Sequence, residues 1–147
     1  MTAATRCPKC GAKAVRPRQR AGRTMRYRNL AALPIPADFP LPACGRCAAE
    51  YLSPATCDHL APLLLSSYQA ALRIAAAKLI TAVTANISQR KLEALFGVSQ
   101  GYLSGVKSGN RQPSSAFVAL LYLAAQPGAI ARLERFFAFL GGPENLG

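Results

Sequence analysis

Acid is scarce in this chain. Its 147 residues include six aspartates and glutamates against 18 lysines and arginines, for a net charge of +12. Paired carboxylates for general acid–base chemistry have no cluster to come from. Histidine occurs once, at His59, with no Cys or Ser partner in a nucleophile motif, so no enzyme is expected. Long apolar runs are also missing. Gln69, Arg73 and Lys78 interrupt the best stretch, short of the roughly 18 apolar residues of a membrane span, and no membrane association is expected. Cysteines stand near the N-terminus, where a secretory signal would carry its apolar segment, and the expected location is the bacterial cytoplasm. Positive charge, by contrast, is in excess. It favours anionic partners such as nucleic acid, an acidic protein face or a membrane surface.

Two compositional regimes divide the chain. Residues 1–50 hold ten basic and two acidic side chains, a balance of +8; residues 51–147 hold eight and four, a balance of +4. Every cysteine except Cys57 lies before residue 50. Residues 5–53 lack helical periodicity and carry prolines at 8, 17, 34, 36, 40 and 42. Ala14 to Arg28 alternate loosely, which predicts a small hairpin or three-stranded sheet broken near Ala21-Gly22. So short a sheet buries too little apolar surface to stand alone and needs a staple. Beyond residue 54 the chain turns rich in Ala and Leu. A helix is expected with Pro62 in its first turn, running to about Val83. Shorter helices are expected at about 88–96, 99–107, 113–125 and 127–140, with Pro113 in a first turn. Gly97, Ser108-Gly109-Asn110 and Gln126-Pro127-Gly128 punctuate them. The expected organisation is a zinc-ribbon-like domain over 1–53, a linker over 54–62 and a helical domain over 63–147.

The cysteines supply the staple. Cys7-Pro-Lys-Cys10 and Cys44-Gly-Arg-Cys47 stand 33 residues apart. Each CxxC turn aims two thiolates at one point, and two turns make the tetrahedral four-sulfur site of zinc. Gly11 and Gly45 are placed where tight knuckle backbones need freedom. Neither pair opens a helix after a strand, the context of a redox dithiol. Four cysteines leave no open coordination position, so the expected Zn2+ is structural, one per chain. Cys57 reads as a small buried hydrophobe near a helix start, and His59 as a surface or capping residue.

Residues 88–106, SQRKLEALFGVSQGYLSGV, carry a helix-turn-helix pattern. Leu92, Leu95 and Phe96 serve as inner positions of a first helix, Gly97 stands at the turn and Val98 follows it. Ser88 and Ser99 are natural N-caps. Leu103 and Val106 point inward in the second helix. Its outward face offers Gln100, Tyr102 and Ser104, with Lys107, Asn110 and Arg111 at the far end. Gln suits a bidentate contact with adenine, while Lys and Arg suit phosphates.

Gln89 through Val106, followed by Lys-Ser-Gly-Asn-Arg-Gln-Pro-Ser at 107–114, resemble the Cro/repressor-like helix-turn-helix family. With the CPxCG…CxxC region ahead of them, residues 5–137 are similar in domain order to the MqsA-type antitoxins, the YgiT-type zinc-finger proteins. The resemblance implies Cys7, Cys10, Cys44 and Cys47 as zinc ligands and Gln89 as a phosphate contact. It places Gln100, Gly101, Ser104 and Gly105 on the base-reading face. It also implies a zinc domain that binds a cognate toxin and a helical domain that dimerises on operator DNA. Two departures stand out. Gly101 and Gly105 replace the Asn and Arg that touch bases in that family, so its operator is not inherited. Glu93 stands where a small packed residue is usual, and its carboxylate must find a partner or point outward.

Two segments complete the reading. Arg16, Arg18, Arg20, Arg26 and Arg28 form a possible surface for a protein or nucleic acid, or a merely solvated face. Tyr27 between Arg26 and Arg28 offers a stacking platform. Near the C-terminus, Ile130, Leu133, Phe136, Phe137 and Leu140 share one broad apolar face, suited to core packing and to a two-fold dimer seam. The expected protein is a homodimeric, double-stranded-DNA-binding regulator, an antitoxin-like autorepressor. The competing expectation is a zinc-ribbon adaptor for RNA or protein whose helices only dimerise.

Overall fold

The computed structural model describes residues 5–142, so the outer ends of both expected domains lie outside the described residues. Four short strands come first: β1 (Val15–Arg18), β2 (Thr24–Tyr27), β3 (Leu30–Pro34) and β4 (Leu41–Cys44). Five helices follow: α1 (Pro54–Thr84), α2 (Gln89–Phe96), α3 (Tyr102–Lys107), α4 (Ser115–Ala124) and α5 (Ala129–Leu140). The chain separates into two compact units, residues 1–68 and 69–147, and the division falls within α1.

In the first unit the strands form two antiparallel pairs, β1 with β4 and β2 with β3, where a hairpin or three-stranded sheet was expected. The β2–β3 hairpin is nested inside the β1–β4 pair. The outer register sets Val15 opposite Cys44 and Arg18 opposite Leu41. That pairing closes the loop between the two CxxC turns. Arg23 is the interior fastener. Its buried guanidinium donates to the carbonyls of Arg20 (2.9 Å) and Arg18 (3.3 Å) and to that of Phe39. A buried cation needs its donors matched in this way. The apolar interior is small, with Leu33, Ile35, Leu41, Ala43, Leu60, Leu64 and Tyr68 buried.

Helix α1 begins at Pro54, so residues 54–62 are helical and not a linker. The start is Ser53, whose hydroxyl accepts the Thr56 N–H (3.1 Å) and whose carbonyl accepts the Cys57 N–H (2.9 Å). Pro54 then occupies the first position, where a missing N–H matters least. Pro62 therefore lies inside the helix and leaves the Asp58 carbonyl without its usual donor. Asp58 is exposed, so water can serve it. Despite Arg73 and Lys78, α1 is long and apolar enough by length and composition to cross a membrane. Much of its apolar character serves packing: Leu60, Leu64, Tyr68, Leu72, Ala76, Ile80 and Val83 are all buried.

The second unit is helical. Ala76, Ile80, Val83, Ile87, Leu92, Leu103, Val106, Leu121 and Ala124 form one buried cluster. Ser88 caps α2 by accepting the Lys91 N–H (3.2 Å). Gly97 ends it in the left-handed region (φ 65°), and the Val98 N–H reaches back to the Glu93 carbonyl. Ser114, one residue after the buried Pro113, caps α4 through the Phe117 N–H (3.1 Å). Pro113 thus precedes the helix and does not sit in its first turn. Helix α5 buries no residue fully.

Candidate functional site

The two CxxC turns are built alike. The Cys7 N–H donates to Ala12 and the Cys7 carbonyl accepts from Gly11; the Cys44 N–H donates to Ala49 and the Cys44 carbonyl accepts from Ala48. The residue after each second cysteine is left-handed, Gly11 at φ 71° and Ala48 at φ 56°. The conformational strain of the second turn therefore falls on Ala48, not on Gly45 as expected. Gly45 matters for proximity instead. Its N–H bonds to the Ala14 carbonyl at 2.8 Å, and a Cβ there would sit 3.4 Å from that oxygen.

The four sulfur atoms all lie within 4.8 Å of one another. Cys7 Sγ is 3.7 Å from Cys47 Sγ, and Cys10 Sγ is 3.6 Å from Cys44 Sγ. Metal–sulfur bonds of about 2.3 Å in a tetrahedron put sulfurs about 3.8 Å apart. The four can therefore hold one metal ion, compatible with one structural zinc. Cys7 and Cys44 are buried, while Cys10 and Cys47 lie nearer solvent.

The electrostatics of the four thiols differ. The N–H groups of Cys47 and Arg46 pull the Cys44 thiol down to about 6. Burial opposes ionisation of Cys7, but the N–H groups of Cys10 and Lys9 outweigh it and lower that thiol too. For Cys10 the Ala12 N–H favours the thiolate, yet burial and the neighbouring sulfurs push it up to about 11. The cluster thus ionises in part on its own, and a cation is what allows all four sulfurs to be thiolates together. Tyr51 lies beside it. Burial raises its phenol first, and the nearby Cys7 and Cys44 add to this. Its hydroxyl is buried without a hydrogen-bond partner among the described residues. Nothing in the sequence pattern marked Tyr51. Among the described residues Cys57 belongs to no metal-competent group, and it is exposed where a buried position was expected. It sits on an outward face of the first turns of α1.

The arginine-rich segment separates into distinct roles. Arg20 meets Glu50 at 3.3 Å. Arg28 lies over the rings of Tyr27 and Tyr68 at 5.5 and 5.2 Å. Tyr27 is half-buried and edge-on to Tyr68 at 5.6 Å, so it is not the free stacking platform expected of it. Arg26 is exposed. Arg16 and Arg18, with Lys13 and Arg46, line a groove of about 480 Å³ floored by Ala14, Ala43 and Gly45.

In the second unit, Glu93 is 3% exposed and has found its partners. Its Oε1 accepts the Leu103 N–H at 3.1 Å and the Gln89 amide at 3.2 Å. The same Gln89 amide donates to Ser104 Oγ at 2.7 Å. Half-exposed Gln89 thus ties α2 to α3. Helix α3 starts at Tyr102 after Gly101 (φ 81°), with no side-chain cap. Ser99 contributes its carbonyl to the turn, accepting the Tyr102 N–H, and not the hydroxyl cap expected of it. Gln100, Gly101, Ser104, Lys107, Asn110 and Arg111 are exposed, while Tyr102 packs edge-on to Phe117 at 5.1 Å. Arg111 folds back over α3. Its guanidinium lies 5.5 Å from the Tyr102 ring, and its Cγ and Cδ occupy the space 3.0 Å from where a Cβ on Gly105 would stand.

The apolar C-terminal residues are only partly covered. Ile130 packs against the core and Leu133 is half-buried, but Phe136, Phe137 and Leu140 are exposed, as are Tyr122 and Leu123 on α4. Comparison with protein-family profiles, curated proteins and solved structures finds no match to this chain.

Proposed function

We propose that the protein is a sequence-specific DNA-binding regulator. In this reading α2, the Gly97 turn and α3 form a helix-turn-helix of Cro/repressor type, and the four cysteines hold one structural zinc. The α2–α3 pair carries the proposal. Leu92, Leu103 and Val106 are buried in one core, while Gln100, Ser104, Lys107 and Asn110 are exposed. Gln100 and Ser104 suit base edges, and Lys107 suits phosphate. Arg111 brings a guanidinium to the patch that Gly105 leaves bare. Zinc suits the first unit because a closed set of four thiolates is its usual structural environment.

The exposed apolar residues of α4 and α5 favour a homodimer, which paired operator half-sites require. The antitoxin part of the proposal rests on the resemblance in domain order. It adds a cognate toxin as protein partner, tested by co-expressing the product of the neighbouring gene and asking whether the two co-purify.

The experiment for the central claim is selection of the full chain on a pool of random DNA duplexes. The expected result is one enriched motif with two half-sites about one helical turn, ~34 Å, apart. Gln100→Ala and Ser104→Ala should blur that motif without unfolding the protein. A pool that returns no motif overturns the reading. RNA binding without duplex selection would favour the adaptor.

A further inference from the structure

We infer that the groove lined by Lys13, Arg16, Arg18 and Arg46 binds the sugar-phosphate backbone of a nucleic acid. The site lies in the first unit and does not depend on the α2–α3 reading.

All four side chains are exposed. The described ion pairs are Arg20–Glu50 and Lys91–Glu134, and neither uses a groove residue. The neighbouring arginines are already occupied: Arg23 by three carbonyls, Arg28 by two aromatic rings. Four cations with no ion pair among the described residues therefore line one concave surface of about 480 Å³. A metal held by four thiolates would carry two net negative charges nearby. By charge count that is fewer than the four groove cations, which leaves a net positive charge for an external anion.

The shape favours phosphate over protein. The floor is Ala14, Ala43 and Gly45. None is an aromatic anchor of the kind on which protein interfaces concentrate their binding energy. A guanidinium, in contrast, matches phosphate oxygens with a two-pronged fork. Arg16 and Arg18 stand two residues apart on β1 and so share one face, about 6.6 Å from each other along the strand. The scaffold is firm as well. Arg16 pairs with Ala43 and Val15 with Cys44 across the β1–β4 ladder, and the Arg46 N–H bonds to Cys44 Sγ at 3.4 Å. The metal-binding turns thus position the groove.

The test uses the full, zinc-loaded chain and fluorescent oligonucleotides of arbitrary sequence: duplex DNA, single-stranded DNA and RNA of equal length. Affinity is measured across a range of salt. Each phosphate contact contributes about 0.9 to the logarithmic salt slope on duplex DNA and about 0.7 on single strands. Arg16→Gln/Arg18→Gln should lower the slope by about 1.8 if duplex DNA is the preferred probe and by about 1.4 if a single strand is, with zinc content and circular dichroism unchanged. Lys13→Gln/Arg46→Gln, from the groove's other wall, should do the same. The probe that binds tightest identifies the nucleic acid. An unchanged slope in both double variants, with the loss appearing only in Lys107→Gln/Arg111→Gln, overturns the inference. So does poly-glutamate of matched charge competing as well as the oligonucleotide, which would make the groove an acidic-protein surface. Neither result touches the motif selection that tests α3.

Discussion

Replacing Glu93 should show how a buried carboxylate holds the α2–α3 pair together. The side chain is 3% exposed, and its Oε1 accepts two donors, the Leu103 N–H and the Gln89 amide. In Glu93→Ala the Leu103 N–H, on a residue with no solvent exposure, loses its acceptor. An orphaned buried donor costs about 1–3 kcal/mol. Removing the one buried methylene, Cγ, adds about 0.8 kcal/mol. The sum is about 2–4 kcal/mol, a large part of a typical domain's 5–15 kcal/mol. Glu93→Gln keeps an oxygen where both donors need it and loses only the charge assistance, about 1 kcal/mol. Glu93→Leu fills the space but accepts nothing and should fall between, at about 2 kcal/mol. The assay is urea unfolding followed by the helical circular dichroism signal, with the m-value checked for constancy. Amide exchange at Leu103 reports the lost bond directly. If Ala and Gln cost the same, or if Ala costs less than about 0.5 kcal/mol, the capping argument is wrong.

Other consequences are open to simpler checks. Cys44→Ser should abolish stoichiometric zinc binding, about one ion per chain by metal analysis, and lower the stability of the first unit while leaving that of the helical unit unchanged. Zinc binding at pH 8 should release protons, at least the one held on Cys10 by its pKa of about 11, and calorimetry in buffers of different ionisation enthalpy counts them. Without metal, Cys44, lowered from 9.0 to about 6, adds stability that is complete above pH 9 and is lost as pH falls through 6. A first unit equally stable at pH 5 and pH 9 would contradict that. Ala48→Gly should raise the melting temperature of the zinc-loaded protein, because it relieves a left-handed alanine worth roughly 1 kcal/mol, less the entropy of glycine. Gly105→Ala should fold but push Arg111 off α3, since only a flexible side chain stands in the way. Its effect on DNA selection should match that of Arg111→Ala.

Much of this was legible from short-range pattern. The doubled CxxC spacing named the four cysteines that converge, because a two-residue gap already forces a pair of thiols together. The helices after residue 88 were found from apolar spacing and turn glycines, with boundaries displaced by only a few residues. Caps were read less well. Ser88 serves as expected, but Ser99 does not, because Gly101 turns the chain again before α3 begins. Ser53 was missed because Pro62 is the more conspicuous helix-start signal, and the helix extends N-terminally past it. For Glu93 the need for a partner was evident, but the partner, a backbone N–H ten residues on, was not.

The sequence by itself determined which residues could form a metal site, where the helices after residue 88 fall and how strongly the chain is charged. Those are properties of composition and of neighbours within a few positions. Tertiary structure decided how each like residue is used. Nothing local separates Arg23, which is buried against three carbonyls, from Arg16 and Arg18, which are left open beside Lys13 and Arg46. The difference comes from the β1–β4 pairing, which turns one arginine inward and gathers the others on a surface, and pairing over such a distance is invisible to any local pattern. The same holds for Arg111, which reaches α3 because Gly105 has no side chain to exclude it.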